Sequence, residues 1–165
     1  MIMRLIRISD FARKFRMRAR FGDLSRAPLT LLRVELRGDY AECDWIARPI
    51  DQWDADLKPN VGKRNASTQA LRDALRVRDF IFWSFPDLHM ASVRVYRRSA
   101  GGPMDLIIAG TIKRHDEVPA SVSSLPMRGK LLGLQFSLED GILANMQVEE
   151  SVAEEMILGI ANRAR

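Results

Sequence analysis

Asp51, Asp54 and Asp56 fall within six residues of one another. Carboxylates that close can wrap a hard cation such as calcium or magnesium. The order D-x-x-D-x-D matches no EF-hand loop, however, because the glycine and the terminal glutamate of that loop are missing. The expected arrangement is a solvated acidic turn around an anchoring Trp53. Pairing of these acids with the basic N-terminus is the second use open to them.

Gly62-Lys63-Arg64-Asn65-Ala66-Ser67-Thr68 runs into a helical pattern. Helix N-termini present free N–H groups and a partial positive charge, so they favour anions, and two cations just ahead would add to that preference. The segment lacks the first glycine of a phosphate-binding P-loop, the strand before it and the serine directly after the lysine, which excludes that nucleoside triphosphatase motif. Capping of the helix by Asn65 or Ser67 is the structural alternative.

His89 and His115 have no cysteine or second histidine at metal-ligand spacing, so a zinc site is not expected. His115-Asp116-Glu117, with Ser121, Ser123 and Ser124 nearby, contains the residue types of a hydrolase. There is no G-x-S-x-G elbow, and the default is a loop histidine beside acids. Cys43 alternates with apolar neighbours and reads as a small core hydrophobe.

The strongest polar signal is charge segregation. The first 26 residues carry eight basic and two acidic side chains, a net of +6; the remaining 139 carry 18 basic and 19 acidic, a net of −1. Such a field steers anionic partners without naming a reaction. Arginine outnumbers lysine by 21 to 5, and arginine grips phosphate bidentately. The segment has the composition of an organelle transit peptide, against which Asp10 argues.

The elements that must position these residues follow from periodicity. Ser9 and Asp10 offer N-cap chemistry, and Ile8, Phe11, Ala12, Phe15 and Ala19 make one apolar stripe, so a basic amphipathic helix is expected over 9–20, ending near Gly22. Leu32, Val34 and Leu36, then Ala41, Cys43, Trp45 and Ala47, alternate on either side of Gly38-Asp39. A two-residue turn there pairs Leu36 with Ala41, Val34 with Cys43, Leu32 with Trp45 and Arg33 with Asp44. Residues 48–66 have no periodicity and are expected to be a long polar loop. A helix over 67–84 follows, with Ala70, Leu71, Ala74, Leu75, Val77, Ile81 and Phe82 as its apolar face and Pro86 as its stop.

A second hairpin sets Val93 and Val95 against Leu106, Ile108 and Ile112 around the loop 99–103. Residues 115–129 read as a polar connection. Leu132, Leu134, Phe136 and Leu138 read as a strand, with a turn at Asp140-Gly141 that leaves 142–147 undecided. Val148, Val152, Met156 and Ile160 form a last helical stripe, where Ser151 and Glu154 could make a capping box.

This order predicts a single α+β domain over 1–165: an antiparallel sheet of about five to six strands built from hairpins, with three helices mainly on one face. No stretch is long and apolar enough to span a bilayer, so the chain is not expected to be transmembrane. The lone cysteine and the absence of a secretory signal suit a cytoplasmic protein.

The expected function is binding, through Arg13, Lys14, Arg16 and Arg20 of the N-terminal helix with Lys63 and Arg64 as a second anion contact. The ligand class is anionic: a polyanion, a phosphorylated metabolite or an acidic protein surface. Nucleic acid fits the charge, but no RNA-recognition, KH or zinc-finger signature accompanies it. No cofactor and no metal are expected. The alternative is a small enzyme with a site formed by the 51–68 loop and the 115–124 loop. A third reading has the stripe of Ile8, Phe11 and Phe15 dock on a second copy, making a homo-oligomer.

Overall fold

The computed structural model describes residues 1–146. The expected helical stripe from Val148 to Ile160 lies outside the described residues. The chain runs α1 (Ile2–Arg18), β1 (Thr30–Arg37), β2 (Tyr40–Ile46), a 3-10 turn (Gln52–Asp56), α2 (Pro59–Ser84), β3 (Met90–Arg97), β4 (Asp105–Lys113), α3 (Leu125–Leu131), β5 (Leu134–Gln135), β6 (Leu138–Glu139) and β7 (Ile142–Leu143). The fold is α+β: five strands form one sheet in the order β1-β2-β3-β4-β5, and β6 and β7 form a small second ladder.

The sheet is mixed, not wholly antiparallel. β1–β2, β3–β4 and β4–β5 are antiparallel as hairpin logic requires, but β2 and β3 run parallel, with Cys43 opposite Val93 and Trp45 opposite Val95. The cause is α2. It carries the chain from the far end of β2 back to the near end, so β3 starts where β2 started.

The first hairpin turns on Gly38, whose φ of +63° costs glycine little. Its register is the expected one from Leu36–Ala41 through Arg33–Asp44. Beyond that a bulge intervenes: Leu31, not Leu32, sits opposite Trp45, and Leu32 is exposed.

Alternate residues of the strands point inward: Ala41, Cys43 and Trp45, then Ala91, Val93 and Val95, then Ile108 and Ile112. The α2 stripe Ala70, Leu71, Ala74, Val77 and Ile81 covers them, and Phe11 and Phe15 of α1 complete the same core. The other face of the sheet carries Glu42, Ser92, Arg94 and Thr111, all at least partly exposed.

α2 begins eight residues before the expected start, with Lys58 as N-cap and Pro59 in its first turn. The expected loop over 48–66 therefore shrinks to the stretch before Pro59, and the 3-10 turn fills part of it. Gly62 lies inside the helix because the turn packs on it. A Cβ there would come within 3.1 Å of Ile50 Cγ2 and 3.4 Å of Asp54 Cβ.

The single strand expected across Leu132–Leu138 is broken. Leu132 ends α3, Gly133 has φ +93°, and only Leu134–Gln135 pairs with β4. Residues Ile142–Leu143 do return as a strand, across the Asp140-Gly141 turn. The 115–129 connection contains the start of α3, capped by Ser124, whose hydroxyl accepts from Met127 N–H.

Candidate functional site

α1 starts at Ile2, so Ser9 and Asp10 are mid-helix and cap nothing. Phe11 and Phe15, four residues apart, point the same way and are buried. Phe11 stacks on Phe80 of α2 with ring centres 4.9 Å apart and lies 5.1 Å from Phe85. The stripe expected to meet a second copy is therefore spent on the protein's own core, and that homo-oligomer interface is corrected. Ile8 is only half-buried at its edge.

One turn after Phe15, Arg18 lies over Phe80 at 5.2 Å and over Trp83 at 4.6 Å; Lys14 lies over Trp83 at 5.5 Å. Phe15, Arg18, Phe21, Arg76, Phe80 and Trp83 enclose a cleft of about 430 Å³ between α1 and α2. That is room for a small ligand or a partner side chain. Trp83 and Phe21 remain more than half exposed at its mouth.

The α2 wall of the cleft is a second stripe on the helix. Gln69, Asp73, Arg76, Phe80 and Trp83 recur at steps of four and three residues. At its base Arg48 forks onto Asp73, with Nε to Oδ2 at 2.8 Å and an Nη to Oδ1 at 3.2 Å. Arg48 also donates to Ala27 O, Gln69 donates to Asp73, and the Gln69 carbonyl accepts from Leu24 N–H. This network fastens the connection after α1 onto α2. Gly22 is required there: a Cβ would come within 2.7 Å of Gln69 and 2.8 Å of Arg48. Burial pushes the Asp73 carboxyl up, against the pull of Arg48 and Gln69.

The expected cations divide. Arg13 and Lys14 both reach Asp10, each at 2.6 Å, so one carboxylate serves two cations. Bonds from Lys14 and then Arg13 hold that carboxyl below its ordinary range. Arg7 pairs with Asp87 at 3.0 Å. Arg16, Arg18 and Arg20 are exposed, and among the described residues none has a carboxylate within salt-bridge distance. Arg16 and Arg18 also occupy the last turn of α1, where cations suit the helix dipole.

Lys63 and Arg64 do not precede a helix N-terminus, because α2 has already begun at Pro59. Arg64 donates to Asp140 O at 2.7 Å and its stem lies against Gly141, pinning the β6–β7 turn. Lys63 borders a separate small cavity of about 40 Å³ with Arg48 and Arg97. Neither lines the α1–α2 cleft. Asn65 donates to Asp54, and Ser67 is buried with its hydroxyl accepting Leu143 N–H, so neither caps α2.

Two members of the aspartate cluster, Asp51 and Asp54, have structural partners. Asp51 caps the 3-10 turn by accepting Trp53 N–H and also accepts Arg26 N–H. Those bonds, Arg26 first, hold its carboxyl below the ordinary range. Trp53 is not an anchor; it is largely exposed. Among the described residues no group of three His, Cys, Asp or Glu could hold a metal ion. Burial pushes the Cys43 thiol up, which suits an inert core residue.

The two loops of the alternative enzyme leave opposite ends of the sheet. The 51–58 stretch follows Ile46, which sits beside Tyr96; the 115–124 segment follows Lys113, which sits beside Met90. They therefore do not build one pocket. His115 lies 6.3 Å from His89, ring centre to ring centre.

Sequence reasoning missed Arg18, Phe21, Arg48, Asp73, Arg76, Phe80 and Trp83. The mixed polar and aromatic spacing from Gln69 to Trp83 was the available signal. Among the described residues no helix is long and apolar enough to cross a membrane. Comparison with protein-family models, with curated proteins and with solved structures gives no match to this chain.

Proposed function

We propose that this is a binding protein that recognises an anionic partner through the basic face of α1 and the mouth of the α1–α2 cleft. The observation that carries this reading is the trio Arg16, Arg18 and Arg20. They are exposed, they have no carboxylate partner among the described residues, and Arg18 sits on the aromatic wall of a cleft of about 430 Å³. An anion reaching that lip meets the Arg18 guanidinium, which offers bidentate hydrogen bonds, with Phe80 and Trp83 beside it for an apolar portion; Arg16 and Arg20 stand outside the cleft lining and add to the field. Arg13 and Lys14 add a smaller net charge, since they share Asp10. Lys63 and Arg64 take no part.

The test is heparin binding across a salt series by wild type and by the Arg16→Gln, Arg18→Gln, Arg20→Gln triple variant. Wild type binds with a negative salt slope, and the variant loses about one unit of slope per arginine in contact. Binding by the variant that equals wild type at every salt concentration refutes the proposal.

A further inference from the structure

The outward side of α1 changes character along its length. At 100° per residue, positions nine apart lie half a turn away from each other. Ile2 therefore faces directly away from Phe11, and Ile6 directly away from Phe15, the two side chains that dock α1 on the body. Ile2, Leu5 and Ile6 are 75%, 62% and 63% exposed. The same outward stripe continues through Ser9 into Arg13 and Arg16. Residues 1–7 are exposed on every side, so the first turns of α1 project from the body, braced by the Arg7–Asp87 pair.

From this geometry we infer that α1 docks obliquely on an anionic phospholipid surface, with Ile2, Leu5 and Ile6 in the acyl boundary and Arg13 and Arg16 at the phosphates. The inference rests on the anionic-partner reading, with which it shares Arg16, and names a partner for the outward face of α1; Arg18, nine residues after Ser9, faces the body and takes no part in it. The order along the helix is the argument. A lipid interface is layered, apolar below and anionic above, and α1 presents apolar side chains first and cations next. The rise from Ile2 to Ser9 is about 10 Å, against a burial depth of about 5–10 Å for interfacial helices. Arg4, within the apolar stretch, has a stem long enough to return its guanidinium to the phosphate level. The net of +6 in the first 26 residues complements the charge of such a surface.

The experiment is co-sedimentation of the full chain with phosphatidylcholine vesicles, with and without phosphatidylglycerol, beside heparin binding and light scattering at two protein concentrations. Wild type is expected on the anionic vesicles only, released by salt. The Ile2→Gln, Leu5→Gln, Ile6→Gln variant, altered only at exposed positions, loses about tenfold or more in vesicle partition while keeping its heparin affinity. Arg16→Gln loses about fivefold, and Arg13→Gln loses less, because Asp10 already answers Arg13. Heparin binding without vesicle binding overturns this inference and spares the function proposed above, pointing to an acidic macromolecule as partner. Failure of both overturns both. Vesicle binding unchanged in the Ile2→Gln, Leu5→Gln, Ile6→Gln variant, or self-association that this variant abolishes, also refutes the lipid assignment.

Discussion

Arg48 and Asp73 form a two-point ion pair beneath the α1–α2 cleft, with each side chain only 2% exposed. Arg48 comes from the segment after β2 and Asp73 from the middle of the long helix, so the contact ties two distant parts of the chain. The other Nη of Arg48 donates to Ala27 O, and Asp73 Oδ1 accepts a second bond from Gln69 Nε2. A buried pair of this kind contributes little net stability when intact and a great deal of instability when half of it is removed.

Asp73→Ala should accordingly cost about 3–5 kcal/mol, because it strands a guanidinium out of water. The double variant Arg48→Met, Asp73→Leu should cost less than the single one. Urea unfolding followed by circular dichroism measures both. A single variant as stable as wild type would show that solvent reaches Arg48.

Asp51 carries a pH signature. Its folded carboxyl is held low by Arg26 N–H and then by Trp53 N–H, so the ionised form favours the native state. That contribution is complete above the unfolded value of about 4 and disappears as pH falls through the lower, folded value. Wild type and Asp51→Asn should differ in stability at neutral pH and converge in acid. A gap that stays constant from pH 7 to pH 3 in denaturant titrations contradicts the assignment.

Gly110 leaves no room for a side chain where β4 meets the start of β5. A Cβ there would lie 2.1 Å from Gly133 O, across the β4–β5 pairing. Gly110→Ala should therefore destabilise by about 2 kcal/mol or more as the strands separate. Gly102→Ala is the control, since its added Cβ would meet only Ser99 Cβ, at 3.6 Å. Equal melting temperatures for the two variants would argue against the β4–β5 register.

What the chain reveals without coordinates is what is local. The Gly38-Asp39 turn and the alternation around it place Val34 opposite Cys43 because turn and pattern are read within 16 residues. The bulge at Leu32 is invisible there, since two successive leucines offer either register to Trp45. The core face of α2 was legible from Ala70 to Phe82. Its first two turns were not, because Gly62 and a run of polar residues hide a helix that Pro59 begins. The parallel β2–β3 pairing has no local trace at all: strand adjacency across a helix is decided by packing, not by turn chemistry.

The site divides along the same line. The basic stretch of α1 could be read as charge, and Arg16 and Arg20 were named from it. Whether each cation is answered depends on Asp10 and Asp87, and on where Phe80 and Trp83 stand beneath Arg18. Lys63 and Arg64 were misplaced because their meaning depended on where α2 starts.

The parallel joint between β2 and β3 has a kinetic consequence. Each flanking hairpin closes over a handful of residues, whereas Arg94 clasps Asp44 across 50 positions of chain, at 3.0 and 3.1 Å. Loop-closure entropy is met before such a distant pairing rewards it. The seam between β2 and β3 is therefore the pairing expected to close last, after each hairpin on its own side, and α2 is the strap that must shorten before it can.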